Sequence, residues 1–270
     1  MASSSPAGRT RTKKKITGAP DYDDAAFWDT KFATGQDVGE WLNSGEGLIE
    51  AVLSDLERRP LPSGRPRVLH LGPGISKLGT KLRDAFVRRG WMGNGIVNVD
   101  FSSEAVRLGQ ELESGREATQ AMHWVSADLR SWDDIMSTNL SHFAPFDVIL
   151  DKSTSDAIAT SEPQIFSSSS DSGICPTVRE IVDQNQNGDG KEISLSPVEL
   201  LSLHLVPLTQ KGTTWIALSY STSRFDNLPH LAAHWRLVSR TGLPAPSGET
   251  SSSAAHTPQV FHWIYILQRK

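Results

Sequence analysis

The most constraining feature of this 270-residue chain is an apolar segment that runs directly into a glycine turn. Residues 67–74 read Arg-Val-Leu-His-Leu-Gly-Pro-Gly, and a second apolar segment ends at Asp100, 26 residues after Gly74. Glycine lets a backbone approach a ligand closely, and a carboxylate at the tip of the next strand can accept hydrogen bonds from ribose hydroxyls. The pattern therefore predicts an α/β sheet that holds an adenosine-type cofactor.

The spacing around the turn indicates which cofactor this is. In the dinucleotide fingerprint Gly-x-Gly-x-x-Gly, the third glycine packs a helix on the strand, but this chain has Lys77 at that position. Two further predicted strands also end in acids, at Asp128 and Asp151. Ligands of such sheets lie outside the carboxyl ends of the strands, and three acids there suit S-adenosylmethionine (SAM). The competing interpretation is that each acid only caps the helix that follows it.

Several short segments add a more specific pattern. They are Phe27-Trp-Asp-Thr-Lys-Phe32 with Trp41 nearby, Leu71-Gly-Pro-Gly-Ile-Ser76, Asp100-Phe-Ser102 and Asp151-Lys-Ser-Thr-Ser-Asp-Ala157. Together they resemble the class I SAM-dependent methyltransferases that modify lysines of translation elongation factor 1A, a branch with a dual lysine and N-terminal methyltransferase and a small single-domain relative. The last segment is the most specific of them. The chain departs from the family at Pro73-Gly-Ile75, where the family has Cys-Gly-Asn, and at Ser153 and Ser155, where it has Gly and Leu.

The resemblance implies a cofactor-binding role for ten residues. They are Trp28, Phe32 and Trp41 as a lid over SAM, Gly72 and Gly74 as the turn beneath it, Asp100 and Phe101 at the ribose and the adenine face, Asp128 and Leu129 at the adenine edge, and Lys152 beside the methionine portion. Trp28 and Phe32 are also spaced as neighbours on one helix face, which is equally typical of core packing. We take Asp151 and Lys152 as the candidate catalytic pair.

The predicted elements form one α/β domain over residues 21–270. Strands are predicted at 67–71, 96–100, 122–126, 146–151, 213–220, 235–240 and 261–267, and helices at 22–34, 44–58, 77–89, 103–114 and 196–206. A final pair of strands after the fifth indicates the seven-stranded, Rossmann-like class I methyltransferase sheet, with an antiparallel last strand and helices on both faces. Residues 161–194 and 242–258 are rich in Ser, Gly, Asn and Pro and are predicted to be loop insertions.

Composition excludes several other classes of protein. The single cysteine, Cys175, rules out an internal disulfide and suits a reducing compartment. His230 and His234 are one helical turn apart, but no acid or third ligand accompanies them, so no metal site is expected. No apolar stretch approaches 18 residues, so no membrane span is expected. We expect a cytoplasmic monomer that uses SAM and binds no nucleic acid directly.

The charge of the chain is divided unequally. Residues 1–20 contain five basic residues and no acid, so they carry +5, while the net charge of the whole chain is −4. With almost no large apolar groups, this segment is predicted to be a disordered basic tail. It could also be a nuclear or a mitochondrial signal. The acidic remainder could attract a basic protein substrate.

Two kinds of acceptor remain open at the level of sequence, together with one non-enzymatic alternative. The leading hypothesis is a protein-lysine methyltransferase that acts on an elongation-factor-1A-like protein. In it, Asp151 would hold the lysine ammonium group and Trp28 or Trp41 would screen it from water. The alternatives are a small-molecule N- or O-methyltransferase and a non-catalytic interaction protein with the same fold.

Overall fold

The computed structural model describes residues 20–35, 39–60, 64–138, 140–167, 173–185, 192–246 and 259–270. Nine strands are present within these ranges. They are β1 (Val68–Leu71), β2 (Ile96–Asp100), β3 (His123–Ser126), β4 (Phe146–Lys152), β5 (Gln164–Phe166), β6 (Ile193–Leu195), β7 (Thr209–Ser219), β8 (Trp235–Pro244) and β9 (Phe261–Arg269). Seven of them form one mixed sheet, and β5 and β6 form a separate antiparallel pair.

The order of the seven strands is β3-β2-β1-β4-β7-β9-β8. Strands β1 to β4 and β7 are parallel, and β9 runs antiparallel to both of its neighbours. The chain therefore reverses its direction of strand addition between β1 and β4, which is the position where open α/β sheets bind ligands. The predicted fold class, including the antiparallel last strand, is confirmed.

Helices cover both faces of this sheet. They are α1 (Ala25–Thr34), α2 (Glu46–Glu57), α3 (Leu78–Arg88), α4 (Ser103–Glu113), α5 (Trp132–Ser137), α6 (Thr154–Ile158), α7 (Pro176–Gln184), α8 (Pro197–His204) and α9 (Pro229–His234). Helices α2 and α3 pack on one face of the central strands, and α5, α8 and α9 pack on the other. No helix in the described ranges is long and apolar enough to cross a lipid bilayer.

Alternation along the strands explains the two cores. In β4, Val148 and Leu150 belong to the core beneath α2 and α3, whereas Ile149 belongs to the core beneath α8. All three side chains are fully buried, as expected for a central parallel strand that is covered on both faces. The same alternation sends Asp151 and Lys152, at the end of β4, to opposite faces of the sheet.

The segment 161–194 differs from its prediction as a loop. Its described parts contain β5, α7 and β6, and a third apolar core joins this unit to α8. Val178 and Val182, one turn apart on α7, are buried in that core together with Cys175. Polar residues flank the short apolar helix face, and for this reason composition alone suggested a loop. Of the second predicted loop, β8 includes residues 242–244, and residues 247–258 lie outside the described ranges, as do residues 1–19 of the predicted tail.

A buried ion pair ties α3 to α4. Arg83 on α3 and Glu113 on α4 are 2 % and 7 % exposed, and Nη1 of Arg83 lies 2.6 Å from Oε1 of Glu113. The second Glu113 oxygen accepts the backbone N–H of Met122, just before β3. Loss of one member of a buried pair leaves the other charge without compensation, which is costly.

We predict that Glu113→Ala lowers the free energy of unfolding by about 3 kcal/mol, because it removes the buried partner of Arg83 and the acceptor of the Met122 N–H, and leaves the buried guanidinium with only the half-exposed carboxylate of Asp84. Urea denaturation followed by circular dichroism measures the change. Glu57→Ala is the matched control, since Glu57 pairs with Arg89 on the surface; it should leave the midpoint nearly unchanged. Equal midpoints for the two variants would contradict this account of the pair.

Candidate functional site

The glycine turn after β1 is shaped by close contacts on both sides. Gly72 and Gly74 have φ values of +49° and +53°, in the left-handed region that favours glycine. A Cβ atom on Gly72 would lie 2.4 Å from Oγ1 of Thr154, and one on Gly74 would lie 2.9 Å from the Phe32 ring. The turn therefore leaves no room for a side chain at either position, and its backbone is exposed to the cleft above.

Asp100, at the tip of β2, holds this turn in place. Its Oδ2 accepts the backbone N–H of Gly74 at 2.8 Å, and its Oδ1 accepts that of Ser102 at 2.9 Å. The side chain is 5 % exposed and borders the cleft. Burial raises the pKa of this carboxyl to about 6, although the two backbone hydrogen bonds oppose the shift. Each oxygen keeps a further lone pair that can accept a ligand hydroxyl.

Asp128, after β3, is engaged by an arginine that the sequence analysis did not single out. Nε and Nη2 of Arg130 lie 3.0 and 2.7 Å from Oδ1 and Oδ2 of Asp128. The same guanidinium lies 5.9 Å from the centre of the Phe101 ring and donates to Ser161 at 2.7 Å. Asp128 and Leu129 both border the cleft, and the Asp128 carboxylate carries a paired charge.

Aromatic side chains from α1 and its flanks form a wall over the turn. Trp28 lies 5.5 Å from Phe32 and 6.2 Å from Trp41, measured between ring centres, and Tyr22 lies against both tryptophans. Asp29 docks α1 onto the start of α4 by accepting hydrogen bonds from Ser102, Ser103 and Glu104. Burial alone would raise the pKa of Asp29, but these hydrogen bonds outweigh it and hold the pKa below its ordinary value.

Lys152 anchors the segment that carries Trp41. Its Nζ lies 2.5 Å from Oε2 of Glu40 and also donates to the Asn43 carbonyl and to Ser76. Glu40 in turn accepts the hydroxyl of Ser76 and the backbone N–H of Lys77, both at 2.8 Å. Burial alone would raise the pKa of Glu40, but the hydrogen bonds from Lys152, Lys77 and Ser76 outweigh this effect. The pKa therefore lies below its ordinary value, and the carboxyl stays charged. Lys152 borders the cleft, and Glu40 neutralises its charge there.

Asp151 does not reach the cleft, which corrects the prediction of a carboxylate facing the substrate. Its side chain is fully buried on the opposite face of β4. It accepts the backbone N–H groups of Thr154 and Ser155, at 2.8 and 3.2 Å, and lies 3.3 Å from the indole nitrogen of Trp215. Burial raises its pKa to about 6. The competing interpretation, an acid that caps the start of the following helix, fits these contacts.

All ten predicted cofactor residues border a single cleft of about 320 Å³ at the carboxyl ends of the parallel strands. Their contacts with a bound cofactor stay a prediction. Four further residues of this site have no role predicted from sequence: Arg130, Asp156 and Tyr220, which border the cleft, and Glu40, which binds Lys152. Glu40 directly precedes Trp41 and Asp156 lies in the 151–157 segment, so sequence position was the available signal. Across the described ranges, no group of three or more His, Cys, Asp or Glu side chains is arranged to hold a metal ion.

No protein-family model matches the chain. It is 28 % identical over 257 residues to methyltransferase srdJ of Neurospora crassa, an alignment that covers 93 % of this chain and 85 % of the relative.

Solved structures resemble the fold at low sequence identity. A SAM-dependent methyltransferase from Anabaena variabilis matches with a TM-score of 0.52 and 11 % identity, over 97 % of this chain and 99 % of the other. A protein from work on the conversion of a disulfide bond into a thioacetal group during echinomycin biosynthesis matches with a TM-score of 0.51 and 13 % identity, over 92 % and 93 %. The chain therefore shares its fold with a SAM-dependent methyltransferase, and it is similar in sequence to a methyltransferase over nearly its full length.

Proposed function

We propose that the cleft binds SAM across the glycine turn and that the protein transfers the methyl group of SAM to a substrate nucleophile. The residues present fit this cofactor. Asp100 offers carboxylate oxygens for the two ribose hydroxyls, and Phe101 and Leu129 offer apolar surface for the adenine. At the other end, the backbone of the glycine turn and the ammonium group of Lys152 border the cleft and suit the amino-acid portion of SAM.

For methyl transfer, the main contribution of the protein is to align SAM and the acceptor. Bound SAM would supply an electrophilic methyl group, whose carbon would bond to the acceptor nucleophile while the carbon–sulfur bond breaks and its electron pair stays on sulfur. Trp28, Phe32 and Trp41 exclude water above the turn. Lys152 and Glu40 fix the lid segment against Ser76, so the acceptor meets a wall of defined position.

We propose a protein lysine, on an elongation-factor-1A-like substrate in the cytoplasm, as the acceptor. The resemblance of Asp151–Ala157 to the corresponding family segment supports this choice, and so does the aromatic wall, which would hold a lysine side chain by its methylene groups. The lysine must lose its proton before it attacks. Because Asp151 faces the other side of the sheet, we assign it to positioning of Ser153 and the start of α6, and not to binding of the ammonium group.

One observation favours a small-molecule acceptor as the second candidate. The acids that border the cleft already have partners: Asp23 and Asp128 lie beside Arg130, Asp156 pairs with Arg224, and Asp100 accepts two backbone N–H groups. A neutral nucleophile such as a hydroxyl or an aromatic amine would need no further carboxylate. A non-catalytic SAM-binding protein is the third outcome that the acceptor experiment below distinguishes.

We predict that Asp100→Ala weakens SAM binding by about 1–3 kcal/mol, because hydrogen bonds from the ribose to a charged group are lost. Isothermal titration calorimetry with SAM measures the change. Glu57→Ala, a surface change far from the cleft, serves as the control. A folded Asp100→Ala variant that binds SAM as tightly as the parent would remove Asp100 from the ribose site.

The raised pKa of Asp100 predicts a pH dependence of binding. The carboxylate is the better acceptor for the ribose hydroxyls, so SAM affinity should fall as the pH drops through about 6, by up to about tenfold per pH unit. Unfolding should not cause this loss: a pKa raised from 3.8 means that the folded protein binds the proton more tightly, so protonation of Asp100 and Asp151 favours folding. Calorimetry between pH 5 and 8 tests this, and Asp100→Asn should flatten the profile. A parent profile that is equally flat would contradict the assignment.

The acceptor is identified by incubating the protein and methyl-labelled SAM with two separate pools of candidate substrates. One pool contains purified elongation factor 1A and total cell protein, and the other is a cell extract from which all protein has been removed. We expect label on a lysine of elongation factor 1A, located by mass spectrometry, and its loss with Asp100→Ala. Label confined to the protein-free extract would replace the lysine proposal with the small-molecule one. SAM binding without label in either pool would favour the non-catalytic alternative.

A further inference from the structure

Ser153 adopts a backbone conformation that normally calls for glycine. Its φ is +67°, in the left-handed region, at the turn between β4 and α6. The related family segment has glycine at this position, where no side chain is strained. Backbone hydrogen bonds hold the residue on both sides: its N–H donates to the Leu218 carbonyl on β7, and its own carbonyl accepts the N–H of Asp156 in α6. The hydroxyl is therefore not required to form the turn.

The Ser153 hydroxyl instead connects two parts of the cleft. It accepts the indole N–H of Trp41 at 3.1 Å, across 112 residues of chain. It donates to Oδ2 of Asp156 at 2.6 Å. Ser153 is 5 % exposed and Asp156 is 3 % exposed, so the hydrogen bond between them is shielded from water, and the hydrogen bond to Trp41 is partly buried.

Asp156 links Ser153 to the end of β7 by further hydrogen bonds. The same Oδ2 that receives the Ser153 hydroxyl also accepts the backbone N–H of Tyr220 at 3.2 Å. Its Oδ1 accepts Ser219 at 2.5 Å and Arg224 at 2.7 Å. The Arg224 guanidinium lies 5.6 Å from the centre of the Tyr220 ring. Tyr220 is thus held through its backbone and over its ring.

Trp41 and Tyr220 are the exposed aromatic residues of this cleft. They are 41 % and 55 % exposed, and both border the cleft. Other large aromatic side chains, such as Trp215, Trp235 and Tyr265, are fully buried. Two exposed aromatic side chains that border a largely apolar cleft mark a surface for recognition of a ligand.

We propose that Trp41 and Tyr220 border the entrance for the methyl acceptor, and that Ser153 is the positioning residue that sets these two side chains through its hydrogen bonds to Trp41 and Asp156. The proposal rests on the proposed function, since it concerns the acceptor side of the same cleft. It explains why this chain carries serine at a left-handed position: the hydroxyl contributes the connection, and the backbone strain is its cost.

Two variants separate the effect of the Ser153 hydroxyl from the effect of the strained backbone. Ser153→Gly removes the hydroxyl and relieves the strain, whereas Ser153→Ala removes the hydroxyl and keeps the strain. Ser153→Gly should melt higher than Ser153→Ala, by about 2–4 °C for a chain of this size. A purely structural role predicts that function follows this difference in stability. A positioning role predicts that both variants behave alike in function.

The position of Trp41 can be followed without any acceptor. For the parent and for each Ser153 variant, a second protein carries Trp41→Phe in addition. The difference in tryptophan fluorescence between the two proteins of each pair is the signal of Trp41, and its quenching by acrylamide reports the exposure of that ring. Since the ring is 41 % exposed in the hydrogen-bonded state, its quenching should rise up to about twofold in both Ser153 variants. Ser114→Ala, an exposed serine at the end of α4, is the control and should match the parent. Unchanged quenching in both Ser153 variants would overturn the proposal.

Kinetics with the acceptor from the labelling experiment test the consequence. In both variants the KM for the acceptor should rise by about tenfold, the equivalent of one lost hydrogen bond, while the Kd for SAM changes by less than about threefold. Equal losses for acceptor and SAM would overturn the assignment to the acceptor side. If no acceptor is methylated, the proposed function fails, and the quenching result still decides whether Ser153 positions Trp41.

Discussion

The architecture of the cleft depends on one enclosed carboxylate, that of Asp100. By accepting the N–H of Gly74 and of Ser102, it joins the turn after β1 to the start of α4. The parallel register of β1 and β2 brings these groups together, with Leu71 opposite Val99 and the N–H of Gly72 donating to the Val99 carbonyl. The site is therefore an outcome of strand pairing, and its central charge is buried before any ligand arrives.

Charge pairing organises the rest of the cleft around this centre. Lys152 and Glu40 fix the lid segment at one end, Arg130 and Asp128 lie at the other, and the buried Asp156 pairs with Arg224 beside Ser153. Pairs of this kind gain little net stability once desolvation is counted, but they define geometry. The result is a largely apolar cleft with fixed polar ends, a form that suits a nucleoside cofactor with an amino-acid tail.

Sequence alone predicted the central sheet because its signals are local. An apolar strand followed by glycine or an acid places both at the strand tip, and this held for Gly72, Gly74, Asp100 and Asp128. The side of the sheet on which an acid points is not local: Asp151 is turned away because alternation along β4 aims it at Trp215. Glu40 and Lys152 are 112 residues apart in the chain, so no local sequence pattern predicts that they form a pair. Helix α7 was missed because Ser-rich and Asn-rich flanks outweigh its short apolar face.

The central claim is that this cleft is a SAM site, and hydrogen exchange measured by mass spectrometry tests it most directly. On addition of S-adenosylhomocysteine, the demethylated form of SAM, the account predicts slower exchange in the turn at 71–76, at 100–102, at 127–130 and in α1, with β8 unchanged. NAD, which needs a pyrophosphate site, should slow none of them. No protection by S-adenosylhomocysteine, or equal protection by NAD, would contradict the account.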